Sequence, residues 1–237
     1  MSDKCNYEVN ERGIAVLKIN NPPMNALDEM TMRELENAMK KIAADDSVKV
    51  VVITGEGPTF IVGADINKVN EVDTREKGET LTAEAQGIIN LIENLRKPVI
   101  AAINGLCLGG GTELAMACHL RLIGDQAQMG LPEVMLGIMP GFGGTQRAAR
   151  LLGPAKALEI ILTGKFLTAG ECEKIGLVNR VVPQAELNNE AMKLAKELSF
   201  KSRLAVSAII EAVVEGGRKN ESSGWFKTGE QTVRRPC

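Results

Sequence analysis

The stretch PVIAAINGLCLGGGTELAMAC, residues 98–118, joins a strand, a glycine bend and the start of a helix. Residues 98–103 are apolar and typical of a buried strand, and the glycines at 109–111 permit backbone angles and close approaches that side chains forbid. A helix that begins there offers unpaired N–H groups and the positive end of its dipole, which stabilise a negatively charged oxygen. Glu113 follows within the first helical turn. The stretch therefore predicts a proton-transfer group beside an oxyanion site.

A plain turn or a flexible linker is the alternative interpretation of the glycine run, because most such runs carry no function. Linkers have polar flanks, whereas both flanks here are apolar, which favours a packed loop that faces a ligand. Neither the GK[ST] of a P-loop nor the dinucleotide fingerprint GxGxxG is present. A nucleotide-dependent oxidoreductase is therefore disfavoured.

Composition indicates a soluble globular protein with a large core. The 237 residues are 44% hydrophobic and 24% charged with a net charge of -2, and only 3% are aromatic, so neither nucleic acid nor an anionic membrane is an expected partner. No apolar run is long enough to span a bilayer and the first residues do not resemble a targeting peptide, so we expect a cytoplasmic protein. Five cysteines without a CxxC pair and a single histidine, His119, predict neither disulfides nor a metal site, and His119 is expected at a helix end.

The hydrophobic pattern predicts strands alternating with helices, followed by a region that is nearly all helical from residue 154 onward. This is the pattern of an α/β core with a helical C-terminal region. The expected elements are a hairpin at 6–20, a helix at 32–42, strands at 48–54 and 58–66, a surface loop at 67–82, a helix at 83–95, a strand at 120–123, a turn at 131–133, a helix starting at 141–147 and helices at 186–199 and 203–214.

Glu133, twenty positions after Glu113, is the second candidate acid. It follows a proline in an apolar stretch, where desolvation would raise the pKa of its carboxyl group, as a general acid near neutral pH requires. A solvent-exposed turn carboxylate is the alternative interpretation of a lone Glu beside a Pro. Two acids, each next to a glycine-rich bend, favour a shared site.

Four segments together match a known pattern. They are GADI at 63–66, NGLCLGGGTELAMAC at 104–118, LPEVMLGIMPGFGGTQRAARLLG at 131–153 and LTGKFLTAGECEKIGLVNRVVP at 162–183. The chain resembles the crotonase, or enoyl-CoA hydratase/isomerase, superfamily over roughly residues 6–226. The resemblance implies a spiral of repeated strand-strand-helix units over 1–183. It further implies a helical C-terminal region over 184–237 that is used in trimer formation, commonly in a hexamer of two trimers.

The resemblance also assigns roles to residues. It implies that the thioester carbonyl of an acyl-CoA lies between the backbone N–H groups of Ala64 and Gly110, and that Glu113 and Glu133 are the two hydratase carboxylates. It places the substrate and CoA pocket along residues that include the oxyanion positions, namely Ala64, Asp65, Ile66, Asn67 and Gly110. Backbone donors suffice for this chemistry, so no metal or redox cofactor is expected, and coenzyme A is part of the substrate.

The function implied is hydration of trans-2-enoyl-CoA to 3-hydroxyacyl-CoA in fatty acid metabolism. A double-bond isomerase or a dehydratase for a specialised acyl group is the alternative among enzymes, and two glutamates favour hydration because isomerisation can proceed with one. A weakly active binding or assembly subunit is the alternative of another class. Two departures from the family motivate it: Leu131 stands where many hydratases have Gln or Gly, and the polar residues 227–237 replace the family's final amphipathic helices. The C-terminal region is thus expected to be shortened and to end in a loose tail.

Overall fold

Residues 4–65 and 73–219 are described by a computed structural model, in which ten strands and eight α-helices follow one another along the chain. The strands are β1 (Cys5–Val9), β2 (Ile14–Ile19), β3 (Val50–Gly55), β4 (Thr59–Val62), β5 (Val99–Ile103), β6 (Leu106–Leu108), β7 (Leu120–Gly124), β8 (Gln128–Gly130), β9 (Phe166–Thr168) and β10 (Arg180–Val182). The helices are α1 (Glu29–Ala44), α2 (Arg75–Glu93), α3 (Gly110–Ala117), α4 (Gly144–Leu152), α5 (Pro154–Thr163), α6 (Ala169–Lys174), α7 (Leu187–Ser199) and α8 (Arg203–Lys219). Short 3-10 helices lie at Pro132–Leu136 and Gln184–Glu186.

The larger sheet has six strands in the order β1-β2-β3-β5-β7-β10. β1 and β2 form the predicted antiparallel hairpin, and the other neighbours are parallel. β3 is buried on both faces because Val50 and Val52 pack in the cluster that contains α7, while Val51 and Ile53 belong to the main core. Covered faces on both sides explain why this strand is a continuous apolar run rather than an alternating one.

The smaller sheet, ordered β4-β6-β8-β9, positions the candidate site. Its first three strands are parallel, with Val62 opposite Leu108 and Leu108 opposite Gly130. Their carboxyl ends therefore lie together at one edge of the sheet, where β4 continues into Gly63 and β6 into Gly109. Both glycines have positive φ, 67° and 53°, so the chain bends sharply as it leaves each strand.

Helix α2 begins earlier than the sequence predicts. The expected surface loop at 67–82 is wrong over 75–82, since α2 starts at Arg75, and residues 66–72 lie outside the described part of the chain. The side chain of Thr74 caps the helix by accepting from the N–H of Lys77, and Arg75 pairs with Glu79 at i,i+4 spacing. This first part of the helix is polar on nearly all sides, so hydrophobic periodicity does not reveal it.

Two short strands interrupt the region after residue 154, which was expected to be nearly all helical. β9 pairs antiparallel with β8, and β10 pairs parallel with β7 at the edge of the larger sheet. Each has only three residues, too few to show a period of two in the sequence. Within residues 4–65 and 73–219 none of the helices combines the length and apolar character needed to cross a membrane.

His119 lies immediately after the C-cap of α3, as expected for a helix-end residue. Its Nδ1 accepts from the backbone N–H of Val99 at 2.9 Å, so the proton is on Nε2, which lies 3.3 Å from the carbonyl oxygen of Glu93. Burial lowers the pKa of the imidazole, which keeps it neutral. His119 therefore connects the end of α3 to the start of β5 and the end of α2.

Candidate active site

A cavity of about 1150 Å³ opens where β4 and β6 end. Its wall contains the bends after both strands, the first turns of α1, one face of α2 and the segment around residues 132–146. Ala64, Asp65, Gly110, Glu113 and Glu133 all line it. The structure thus brings together every predicted site residue that it describes, while Ile66 and Asn67 lie outside the described residues.

Gly109 and Gly111 of the glycine run exclude a side chain for different reasons. Gly109 has a φ of 53°, and a Cβ there would lie 3.2 Å from Oε1 of Glu133 and 3.5 Å from the Cα of Gly63. A Cβ on Gly111 would lie 2.1 Å from the carbonyl oxygen of Ile61, closer than any side chain permits. The run is therefore a packed bend that begins α3, as predicted, and the linker interpretation is wrong.

Two backbone donors follow the ends of β4 and β6, one in each bend. Ala64 and Gly110 each stand two residues beyond the paired residues Val62 and Leu108. The bends are joined by a hydrogen bond from the N–H of Gly63 to the carbonyl of Leu108 at 2.8 Å. Within residues 4–65 and 73–219, the N–H groups of Ala64 and Gly110 have no hydrogen-bond acceptor, and Gly110 is the first residue of α3, where the helix supplies none.

Glu113 is held by a second glycine-rich loop, residues 141–144. The side chain is 2% exposed, and its Oε1 accepts the backbone N–H of Phe142 at 2.8 Å and of Gly144 at 2.6 Å. The pKa of the carboxyl group is raised to about 7: burial is the largest cause and nearby Glu133 adds to it, whereas the two N–H donors and the cation of Arg147 act in the opposite direction. A carboxyl group with such a pKa can both hold and release a proton near neutral pH.

Glu133 lies in the 3-10 helix Pro132–Leu136 and is 9% exposed, so the exposed-turn interpretation is wrong. Its burial raises the pKa of its carboxyl group, as predicted. Desolvation is the main cause, as expected, although the three apolar residues that follow Glu133 are each more than a third exposed; the Gly109 bend lies close to its Oε1. Its Oε2 is buried and has no hydrogen-bond partner among the described residues, which leaves it for a proton or a ligand.

The sequence did not predict the buried arginine that holds the 141–144 loop. Arg147 of α4 is buried, and its guanidinium donates to the carbonyl of Phe142 and to Glu93 of α2. The only sequence signal is an arginine four residues after the last glycine bend, and arginine in a first or second helical turn is ordinarily exposed. The buried pair follows from tertiary packing of α2 against this loop.

Glu113→Gln is expected to stabilise the fold above neutral pH. The folded-state pKa of Glu113, about 7, is raised from 4.5, so its contribution to stability is complete below about pH 4 and is lost as the pH rises through 7. Gln keeps an oxygen for the two N–H donors but has no charge to bury. The stability difference between variant and parent is expected to grow by about 1–3 kcal/mol from pH 5 to pH 8, measured by denaturant unfolding.

The exposed Glu197→Gln removes a carboxylate that the fold does not bury and is the control for that measurement. A difference for Glu113→Gln that does not change between pH 5 and pH 8 would contradict the raised pKa.

The structure has the crotonase-type fold: it superposes on enoyl-CoA hydratase from Bacillus anthracis with a TM-score of 0.90 and 33% identity, over 96% of this chain and 88% of that one. The family model described as enoyl-CoA hydratase/isomerase matches residues 9–230. The chain belongs to the enoyl-CoA hydratase/isomerase family.

Two relatives show how the chain compares in length. It is 45% identical over 208 residues to crotonyl-CoA hydratase of Syntrophomonas wolfei, covering 87% of this chain and 80% of that protein. It is 42% identical over 233 residues to the fatty acid oxidation complex subunit alpha of Idiomarina loihiensis, covering 96% of this chain and 33% of that protein. The chain thus spans a third of the longer relative.

Proposed function

We propose that this protein hydrates trans-2-enoyl-CoA thioesters to 3-hydroxyacyl-CoA. The observation that carries the proposal is that two buried glutamates, Glu113 and Glu133, line one cavity with two backbone N–H groups that have no acceptor in the described chain. The names of relatives that are 41–45% identical, crotonyl-CoA hydratase and enoyl-CoA hydratase, support the same reaction.

In this proposal the thioester oxygen accepts hydrogen bonds from the N–H groups of Ala64 and Gly110. When the oxygen of water forms a bond to the β-carbon, the electron pair of the C=C bond moves toward the thioester and gives an enolate-like charge on that oxygen. Fixed donors at the place where this charge develops stabilise the transition state more than the ground state. Gly110 adds the positive end of the α3 dipole.

The two glutamates divide the proton transfers. One carboxylate takes a proton from the attacking water, and the other carboxyl group gives its proton to the α-carbon, so the pair holds one proton before and after the addition. Two close carboxyl groups share a single proton near neutral pH because ionising both costs free energy. The raised pKa of each group and the unpartnered Oε2 of Glu133 fit this shared state.

The remaining parts of the substrate and the assembly follow from the same proposal. The CoA moiety lies along residues 64–67, of which Ala64 and Asp65 line the cavity. The reaction needs no metal or redox cofactor, since backbone groups stabilise the charge.

We also propose a homotrimer or a pair of trimers, because Leu204, Ile209 and Val213 of α8 are more than 60% exposed and would be covered by another copy.

Incubation with crotonyl-CoA tests the function directly. The expected result is loss of the conjugated enoyl-thioester absorbance together with a product heavier by one water in mass spectrometry. A 3-enoyl-CoA substrate separates the alternatives: rapid gain of conjugated absorbance without water uptake, and no hydration of crotonyl-CoA, would favour the isomerase. Binding of crotonyl-CoA without any turnover would favour the binding subunit, and either outcome would contradict the proposal.

A further inference from the structure

Arg147 forms an unusually complete set of contacts for a buried cation. It is 4% exposed, and its Nη1 donates to the carbonyl of Phe142 at 2.8 Å. Its Nη2 donates to Oδ1 of Asn90 at 2.6 Å and to Oε2 of Glu93 at 2.7 Å, and its Nε donates to the same Oε2 at 3.1 Å. The planar guanidinium thereby joins α2 to the 141–144 loop in a fixed orientation.

The other side of that loop holds Glu113. The residue whose carbonyl accepts from Arg147, Phe142, also donates its N–H to Oε1 of Glu113, and Gly144 donates the second N–H. A continuous line of contacts therefore runs from Glu93 through Arg147 and the loop backbone to the carboxylate. α2 holds the loop at a further point, where the side-chain amide of Gln86 donates to the carbonyl of Gly141 at 2.7 Å.

We propose that Arg147, held by Glu93, is a positioning residue that fixes the 141–144 loop so that its two N–H groups stay on Oε1 of Glu113. This inference rests on the proposed function, in which Glu113 transfers a proton. Arg147 acts through the loop backbone and does not contact the substrate.

A purely structural salt bridge is the competing explanation, and the surroundings of Glu93 allow the two to be separated. Glu93 also accepts from Arg150 at 2.8 Å and pairs with Arg218 at 3.1 Å. Loss of Arg147 therefore leaves Glu93 with two cations, which avoids the large cost of an unpaired buried charge. Arg150 binds the same carboxylate from the same helix, and within residues 4–65 and 73–219 its polar contact is with Glu93 alone, so it is the matched control.

The pH profile distinguishes positioning from stability. The charged or polar groups that act on Glu113 are Glu133, which raises its pKa, and Arg147 with the two loop N–H groups, which lower it. Removal of Arg147 takes away a cation and loosens both donors, so the pKa of Glu113 rises. One limb of the pH profile of kcat/KM reports the ionisation of Glu113 and is absent from the profile of Glu113→Gln. When Arg147 is removed, this limb moves to higher pH. A change in stability alone reduces the amount of active enzyme and leaves that limb in place.

The test compares Arg147→Met, Arg147→Lys and Arg150→Met for kcat, KM, pH profile and Tm with crotonyl-CoA. Arg147→Met is expected to lower kcat by about 10–100-fold with KM changed less than about threefold, since misplacement of a reacting group affects mainly the chemical step. In this variant the limb of the pH profile of kcat/KM that reports Glu113 is expected to move to higher pH by about one unit. Arg147→Lys keeps a cation but not the planar guanidinium, so its kcat and its pH limb are expected to lie between those of Arg147→Met and those of the parent. Arg150→Met is expected to stay within about twofold of the parent.

Equal kcat and equal pH limbs for Arg147→Met and Arg150→Met would overturn the inference. If Arg147→Met does not fold, Arg147→Lys decides: an unshifted limb and a kcat equal to that of Arg150→Met would overturn it. Failure of the proposed function has another signature, because the parent protein itself would then not hydrate crotonyl-CoA, whatever the Arg147 and Arg150 variants do.

Discussion

Glu113→Gln and Glu133→Gln are each expected to lower kcat for hydration by about 10²–10⁴-fold, the usual contribution of a positioned acid or base. Gln has the size of Glu, and at position 113 its oxygen can still accept the N–H groups of Phe142 and Gly144. It cannot exchange a proton, so the chemical step is lost while acyl-CoA binding is largely kept. Steady-state kinetics with crotonyl-CoA, with binding measured separately by calorimetry, checks both parts.

Glu197→Gln, an exposed change of the same chemistry on α7, is the control and is expected to leave kcat unchanged. The double variant Glu113→Gln/Glu133→Gln is expected to lose less than the product of the two single effects, because residues that act as a unit are not additive. A single variant with kcat within a few-fold of the parent would remove that residue from its proposed role.

Gly110→Pro is expected to lower kcat by about 10²–10³-fold, the measured cost of losing one oxyanion donor. Proline removes the N–H, and the first position of a helix tolerates proline because the helix does not use that N–H. Gly110 occupies this position in α3. Side-chain changes cannot test a backbone donor, so proline is the appropriate probe.

Gly110→Ala is the matched control for this variant. A Cβ at this position would lie 3.0 Å from the ring of Phe142 and 3.4 Å from Leu27, so alanine introduces the crowding of the Cβ but keeps the N–H. The ratio of kcat between the two variants measures the donor, and circular dichroism checks the fold of each. A folded Gly110→Pro variant with the kcat of Gly110→Ala would contradict the assignment of the oxyanion site.

Much of the scaffold could be predicted because it depends on local patterns. β3 is an unbroken apolar run, and such a run requires cover on both faces, which α7 and the main core provide. The three glycines before Glu113 predicted a bend and a helix start because few other residues adopt a φ of 53°. The hairpin of β1 and β2 was predicted from alternation around a short polar turn.

The parts that the sequence did not predict depend on contacts between distant segments. The buried pair of Arg147 with Glu93 joins residues 54 positions apart, and neither residue type is expected inside a protein. The close approach of the Gly109 bend to Oε1 of Glu133 likewise joins two separate segments of the chain. The roles of Ile66 and Asn67 and the loose tail at 227–237 stay predictions, since they fall outside residues 4–65 and 73–219.

The register of the smaller sheet restricts insertions and deletions in the strands that precede the two bends. Val62, Leu108 and Gly130 lie in one row across β4, β6 and β8. An inserted or deleted residue within β6 would shift the following backbone by about 3.3 Å and turn each side chain to the opposite face. Such a chain would keep both glutamates and all three glycines, yet Gly110 would no longer stand level with Ala64. The spacing between these strands and their bends is therefore as much a part of the site as the identity of its residues.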